Sequence, residues 1–239
     1  MKNPSVAADL RAKAMLIERI LNETYGAPFM YWSRKDPLSE PVGTLLSHRT
    51  KNAVTRSAYQ NLRARFPTWE EVRTAPTEEV EKTVAAVTYP EVKAPRIQNA
   101  LTLIKERRNG DLSLDFLAEM TVSEARAWPA KIPGVGAKST AAVLNFSILH
   151  MPALVVDMHH LRVAQRTGVV PVKATLDKSA KILQEYLPAD YTGQQVFDTH
   201  QGYIRHGQKV CTWSRPACNN CVIKEHCDYY AEKQTAVIS

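Results

Sequence analysis

Apolar residues recur along this chain at the spacing of a helix rather than that of a strand. Two such runs are Leu10, Ala14, Ile17 and Leu21, and Val80, Val84 and Val87. Because side chains three and four positions apart share one face of a helix, these runs predict amphipathic helices. Strand-like alternation is nearly absent from the sequence. The pattern therefore predicts an all-α protein.

Residues that start and stop helices mark the ends of several predicted elements. Asn109 and Gly110 end a helix that begins near Pro95, because glycine readily adopts the left-handed conformation that closes helices. Thr121, with Glu124 three positions later, forms a capping box that predicts a new helix. Further helices are predicted near residues 53–66, 113–119, 137–149, 158–166, 176–186 and 193–206.

Charge and composition indicate the kind of binding partner and the cellular compartment. The 31 Lys and Arg against 24 Asp and Glu give a net charge of +7, which suits a polyanion such as nucleic acid, although a merely basic globular protein has the same balance. No run of eighteen or more apolar residues predicts a membrane span. Charged residues follow Met1 and Lys2 where an export signal would be apolar. We therefore expect a cytoplasmic protein without a membrane partner.

All the cysteines of the chain lie within residues 211–227. They are Cys211, Cys218, Cys221 and Cys227, in the spacing C-x6-C-x2-C-x5-C. In a reducing cytoplasm, clustered thiols more often bind metal than form disulfides. Four thiolates suit either zinc or an iron–sulfur cluster; we favour the cluster, because zinc ribbons usually pair two C-x2-C knuckles and only one occurs here. Arg215 in this loop is either a solvated cation or a contact to phosphate.

Two glycines in the stretch IPGVGAKSTAAVLNF, residues 132–146, predict a tight turn between helices. The N–H groups at the start of the second helix could bind a DNA phosphate, although an ordinary helix–helix turn has the same residues. Lys138 lies in the first turn, where the helix dipole disfavours the ammonium form. Such a lysine is a candidate nucleophile, and the alternative is a solvated side chain. Asp157 is either an N-cap or a partly buried carboxylate, and the two roles are compatible.

The motifs P-G-V-G-x-K, V-D-x-H and C-x6-C-x2-C-x5-C occur here in the order and at the separations of one known family. From about residue 30 to residue 230, the sequence resembles the endonuclease III family, which are helix-hairpin-helix DNA glycosylases with AP lyase activity and a [4Fe–4S] cluster. The resemblance implies two helical domains with a DNA-binding cleft between them. Residues 30–150 would form a barrel-like domain with the hairpin, and residues 1–29 with 151–239 the cluster domain.

The resemblance also implies roles for individual residues. Lys138 falls on the catalytic lysine, which attacks C1′ of the damaged nucleoside, displaces the base and leaves a Schiff base that permits β-elimination. Asp157 falls on the aspartate that stabilises the oxocarbenium charge and helps to deprotonate the lysine. The phosphate-holding hairpin is Pro133, Gly134, Val135 and Gly136, and the cluster ligands are Cys211, Cys218, Cys221 and Cys227.

Three residues depart from the family pattern where the protein would fill the gap left by a flipped base. Arg49 replaces a glutamine, Asn52 replaces an acidic residue and Tyr89 replaces a leucine wedge. A tyrosine can stack on a base, while a packed core aromatic would fit the sequence equally well. We expect these departures to change lesion preference more than reaction type, with Arg49 and Tyr89 as DNA contacts.

The predicted function is a bifunctional DNA glycosylase and AP lyase of base excision repair. It would remove oxidised pyrimidines from double-stranded DNA and cleave 3′ to the abasic site, as a monomer associated with the nucleoid. One alternative is a monofunctional glycosylase, which would lack the lysine. A second is a non-catalytic iron–sulfur DNA-binding protein in which Lys138 only binds phosphate, and a third is a zinc-binding transcription factor, which would be colourless.

Overall fold

The computed structural model describes residues 4–30, 34–128, 132–133 and 135–238, without the side chains of residue 4 and of residues 236–238. Within these residues the backbone forms α-helices, short 3₁₀ segments and turns, but no strand. The prediction of an all-α protein is therefore confirmed. No helix of the described residues is both long and apolar enough to cross a membrane.

The chain divides into two compact units. The first, called here the continuous unit, is Ser33–His150, and the second, called the split unit, joins Met1–Trp32 to Met151–Ser239. The helices of the continuous unit are α2 (Ser39–Ser47), α3 (Asn52–Arg65), α4 (Trp69–Thr74), α5 (Thr77–Thr83), α6 (Pro90–Arg107), α7 (Val122–Ala127) and α8 (Ala137–Phe146). Those of the split unit are α1 (Pro4–Tyr25), α9 (Met158–Arg166), α10 (Leu176–Tyr186), α11 (Gly193–Lys209) and α12 (Asp228–Ile238). Short 3₁₀ segments are Asp115–Glu119, Cys218–Asn220 and Lys224–His226.

Helix α6 packs against α2, α4 and α5 in the continuous unit. It begins at Pro90, so the prediction of a start near Pro95 is wrong. Proline is favoured at the first helical position, where its missing N–H has no intrahelical partner, and burial of Ile97 holds the helix together beyond Pro95. The predicted end is confirmed, because Asn109 and Gly110 have φ angles of 53° and 97°.

Helix α2 was not predicted, because Pro41 and Gly43 lie within it. Proline is nevertheless tolerated in the first turn of a helix. Leu45 and Leu46 are 2% and 0% exposed, so tertiary packing stabilises a segment whose intrinsic helix propensity is low. Helices α4 and α12 were also missed, and the segment predicted over 113–119 is the shorter 3₁₀ segment.

The split unit buries its core between helices from both of its segments. Helix α11 packs against α1 and α9. Ile17, Leu21 and Val163 are fully buried in one apolar cluster with these helices. Cys211 and Cys221 pack against the same cluster, so the cysteine loop is anchored to this core.

A histidine lies inside the core of the split unit. His160 has no exposed surface, and its ring stacks on Tyr203 with centroids 4.1 Å apart and planes inclined by 20°. Burial, and then the charge of His200, lowers the pKa of His160 well below the usual 6.5, with a weaker opposing effect from the backbone of Val155.

We expect the free energy of unfolding to fall as the pH drops below 6.5, because His160 stays neutral in the folded state while the unfolded state takes up the proton. One such group contributes a slope of up to about 1.4 kcal/mol per pH unit. His160→Phe should remove this contribution and keep a ring against Tyr203. Urea unfolding followed by circular dichroism, at about pH 7.5 and about pH 5.5, measures the slope. An unchanged slope in the variant would contradict the prediction.

Candidate functional site

Lys138 is the second residue of α8 and follows the predicted hairpin directly. Gly136 is the N-cap of this helix, with φ −82° and ψ −176°, and supplies no side-chain cap. The Lys138 side chain is exposed. Because the first N–H groups of a helix have no intrahelical partner and carry the positive end of the dipole, this helix start favours an anion. The structure therefore places an accessible amine beside a potential phosphate site.

The hairpin itself presents a buried anchor and an exposed backbone. Val135 is 3% exposed, and its N–H donates to the carbonyl of Ile132 at 3.0 Å. Pro133 and Gly136 are exposed, whereas Gly134 lies outside the described residues. The described part of the turn is thus held by its apolar side chain, and its neighbours face solvent.

Positive charge gathers around His48 in the continuous unit. Partial burial lowers the pKa of His48, and the charges of Lys93, Lys138 and Arg96 lower it further. Lys138 therefore lies close enough to His48 for its charge to be felt. The same concentration of cations favours a polyanionic ligand.

Arg49 and Tyr89 lie on two different loops but line one open pocket of about 560 Å³. Both residues have left-handed backbones, with φ angles of 54° and 58°. Tyr89 is 53% exposed, so the alternative of a packed core aromatic is wrong. His48 and Arg96 line the same pocket, and the guanidinium groups of Arg49 and Arg96 give it a cationic wall. Asn52, by contrast, is the first residue of α3 and is exposed.

Asp157 is the N-cap of α9, as one of its two predicted roles required. One carboxylate oxygen accepts hydrogen bonds from the backbone N–H groups of His159 and His160, each at 2.9 Å. The side chain is only partly buried. Both cap bonds end on Oδ1, so the second oxygen, Oδ2, is the one on which a catalytic role would depend.

The four cysteines line one small cavity of the split unit. All four thiols are free and partly buried. Burial raises the pKa of Cys221 to about 11, and it raises the pKa of Cys227 as well. Among the described residues, no three His, Cys, Asp or Glu side chains are placed to hold a single metal ion. The available donors are the sulfur atoms of the four cysteines that line this cavity.

Side chains from the helices behind the loop contact these thiols. Arg166 donates to the Cys211 sulfur at 3.3 Å and to the carbonyl of Thr212 at 2.7 Å. The Nε2 atom of His206 lies 3.4 Å from the sulfur of Cys221, and burial lowers the pKa of His206 to about 4. A neutral imidazole and a fixed guanidinium therefore border the cavity.

Arg215 lies in the cysteine loop and is exposed, as is Trp213, which is 72% exposed. Arg166 donates to the carbonyl of Trp213 at 2.8 Å and so fixes the backbone beneath these side chains. An exposed cation suits contact with a nucleic acid phosphate, and an exposed ring suits stacking on a base.

The sequence patterns missed Lys93, Arg166 and His206 as residues of these sites. Lys93 is 5% exposed on α6, and a buried lysine in a helix face is not distinguishable by spacing from a solvated one. Arg166 and His206 lie 45 and 15 residues from the cysteines that they contact. The only available signal was the placement of basic and imidazole groups on the apolar faces of α6, α9 and α11.

Comparison with known proteins agrees with this geometry. The HhH-GPD superfamily of base excision DNA repair proteins matches residues 42–189. Endonuclease III of Thermotoga maritima is 28% identical over 198 residues, which are 83% of this chain and 85% of that protein. Endonuclease III of Escherichia coli strain K12 is 27% identical over 219 residues, which are 92% and 96% of the two chains.

Solved structures show the same fold. A trapped covalent intermediate of endonuclease III with DNA, in an estranged-adenine complex, gives a TM-score of 0.76 at 20% identity and covers 94% of this chain and 98% of that one. The chain belongs to the HhH-GPD superfamily of base excision DNA repair proteins. Within that class, the resemblance to endonuclease III is confirmed, and the function is that of a base excision DNA glycosylase.

Two variants of Asp157 distinguish its role as a helix cap from the role of its charge. Asp157→Ala should lower the free energy of unfolding by about 1 kcal/mol, because two N–H groups of α9 lose their acceptor. Asp157→Asn should change it by only a few tenths of that amount, because asparagine is an equally good cap. Urea unfolding of both variants measures the difference. Equal losses in the two variants would show that the carboxylate charge, and not the cap, stabilises the helix.

Proposed function

We propose that this protein is a bifunctional DNA glycosylase and AP lyase that acts as a monomer on damaged double-stranded DNA and removes oxidised pyrimidines. The observation that carries the proposal is the exposed Lys138 in the first turn of α8, directly after the P-G-V-G hairpin of a base excision repair protein. A glycosylase without lyase activity does not need an amine at this position.

In the proposed reaction, the Nζ atom of Lys138 attacks C1′ of the damaged nucleoside. The bond between C1′ and the base breaks as the new C–N bond forms, and the base leaves with the bonding electrons and a proton. The sugar ring then opens as the C1′–O4′ bond breaks, O4′ takes up a proton and C1′ forms a double bond to the lysine nitrogen. This Schiff base makes the 2′ proton acidic, so that β-elimination breaks the bond to the 3′ phosphate. The start of α8 holds a DNA phosphate during these steps.

Asp157 is the proposed carboxylate of the reaction. Positive charge develops on the sugar as the base leaves, and a nearby carboxylate lowers the energy of that state. It also accepts the proton that Lys138 must lose to become a nucleophile. The backbone bonds from His159 and His160 fix Oδ1, so the orientation of Oδ2 is set before DNA binds.

The four cysteines fit a [4Fe–4S] cluster. Each thiolate of such a cluster binds a different iron atom, so four sulfurs around a common cavity are the donor set that it requires. When bound, the cluster would supply a cross-link for the loop that carries Arg215. The loop then offers Arg215 to a DNA phosphate, independently of sequence.

The reaction is tested by borohydride trapping on one duplex with an abasic site and one with thymine glycol. Wild-type protein should give a covalent protein–DNA band on both, because borohydride reduces the Schiff base of Lys138. Lys138→Ala should give no band on either and should still bind DNA. Lys82→Ala is the matched control, because Lys82 is an exposed lysine of the same unit. It should be trapped like wild type.

The outcomes separate the parts of the proposal. Trapping of Lys138→Ala would exclude this lysine as the nucleophile. A band on the abasic duplex alone would keep the lyase and exclude thymine glycol as a substrate. No band on either duplex, with DNA binding intact, would leave a monofunctional glycosylase. Asp157→Asn, which keeps the helix cap, should lose base excision in the same assay.

The cluster is tested by the colour and stability of a ligand variant. Purified wild-type protein should be yellow-brown, and Cys221→Ser should lose visible absorbance because one of four ligands is gone. The variant should also lose stability in the cysteine loop, measured as faster proteolysis of residues 211–227. A colourless wild-type protein that contains zinc would contradict the assignment, as would an unchanged spectrum in the variant.

A further inference from the structure

The two residues in the open pocket, Arg49 and Tyr89, adopt a backbone conformation that residues with side chains rarely adopt. Both lie next to helix ends: Arg49 comes shortly after the end of α2, and Tyr89 directly precedes the start of α6. Strained residues of this kind persist only where their surroundings hold them. The contacts that hold them are therefore functional candidates in their own right.

Lys93 is the residue that reaches both loops. Its side chain is 5% exposed, and its ammonium group donates three hydrogen bonds, which is every proton that it has. The acceptors are the carbonyl of Leu46 at 2.7 Å, the carbonyl of His48 at 2.7 Å and the hydroxyl of Thr50 at 2.8 Å. Two of these acceptors belong to the residues on either side of Arg49: the carbonyl of His48, which is part of the peptide link before Arg49, and the side chain of Thr50.

The two loops are also bonded directly to each other. The hydroxyl of Thr50 accepts from the backbone N–H of Thr88 at 3.1 Å, and the hydroxyl of Thr88 donates to the carbonyl of Arg49 at 2.9 Å. Thr88 precedes Tyr89, and the Lys93 N–H donates to the Tyr89 carbonyl at 3.1 Å. The side chain of Lys93 is therefore linked through the Thr50 hydroxyl to the backbone of Thr88, the residue before Tyr89.

The burial of a lysine at this place has a physical cause. Helix α2 ends at Ser47, so the carbonyl of Leu46 lies in its last turn and lacks an intrahelical partner. The ammonium group satisfies this carbonyl at the negative end of the helix dipole. A methionine, which is similar in length, would fill much of the same space but would leave these acceptors without a donor.

We propose that Lys93 is a positioning residue that holds Arg49 and Tyr89 ready for insertion into DNA. This inference rests on the proposed function, in which the protein flips a base out of the duplex. Insertion must open a stacked duplex, and flexible loops would have to be ordered at that moment. With the loops fixed beforehand, that ordering is already complete when the protein meets DNA.

The proposal is tested by DNA binding of Lys93→Met with two duplexes. Both carry the same uncleavable tetrahydrofuran analogue of an abasic site; in one the flanking pairs are matched, and in the other they are mismatched and already unstacked. If Lys93→Met leaves only a tenth of the molecules with ordered loops, affinity for the matched duplex falls about tenfold. Affinity for the mismatched duplex should fall less than about twofold, because this site is already unstacked and its binding does not require the ordered loops to insert.

Two further variants give a second test of the same hydrogen bonds and a control for the change in charge. Thr50→Val removes the acceptor shared by Lys93 and Thr88 without changing the charge, and should weaken binding selectively in the same way. Lys105→Met makes the same charge change on the same helix, where Lys105 pairs with Glu70 at 2.8 Å. This variant should lose affinity for both duplexes equally and by less than about twofold.

An equal loss on both duplexes, or no loss on either, in both Lys93→Met and Thr50→Val would overturn the positioning role. If Lys93→Met does not fold, Thr50→Val decides alone. The proposed function is judged separately by trapping of the wild-type protein. A wild type that binds both duplexes but is not trapped would reject the lyase, while the comparison between the two duplexes would still decide the role of Lys93.

Discussion

Backbone carbonyls at the ends of helices need donors, and in this protein buried cations supply them. Lys93 donates to Leu46 in the last turn of α2. Arg162, which is 7% exposed, donates to the carbonyl of Gly207 near the end of α11 at 2.6 Å and to that of Cys211 at 2.8 Å. In each case the donor comes from a different helix. An all-helical chain has no strand ladder to absorb such groups, so its helix ends determine where charged side chains can be buried.

The same constraint determines where the proposed chemistry lies. Lys138 is at the start of α8, Asp157 caps the start of α9, and the cysteine loop follows the end of α11. A loop is fixed at one end when it begins or ends at a helix terminus whose N–H or C=O groups have hydrogen-bond partners. Its side chains can nevertheless remain exposed to solvent. This combination leaves reactive groups accessible and oriented, which a loop without such contacts would not achieve.

Features that depend on neighbours in the sequence were predictable, and those that depend on distant partners were not. The capping box of Thr121 with Glu124 is present as predicted, since it involves residues three positions apart. The place of Lys138 in the first turn of α8, the N-cap formed by Asp157 and the common cavity of the four cysteines followed from motifs. The start of α6 at Pro90 and the whole of α2 were not predictable, because buried contacts override weak propensity there. Lys93 was missed for the same reason: its partners lie 43 to 47 residues away.

The split unit has a consequence for synthesis on the ribosome. Helix α1 leaves the ribosome first, but it packs against α10 and α11, and the guanidinium of Arg11 donates to the carbonyl of Tyr186, 175 residues later. The continuous unit, Ser33–His150, is a single stretch of sequence and can fold while the rest is being made. Until α11 emerges, the apolar face of α1 has no permanent cover. The nascent chain therefore passes through a stage with one folded unit and one exposed amphipathic helix, the stage at which a chaperone would find its binding site.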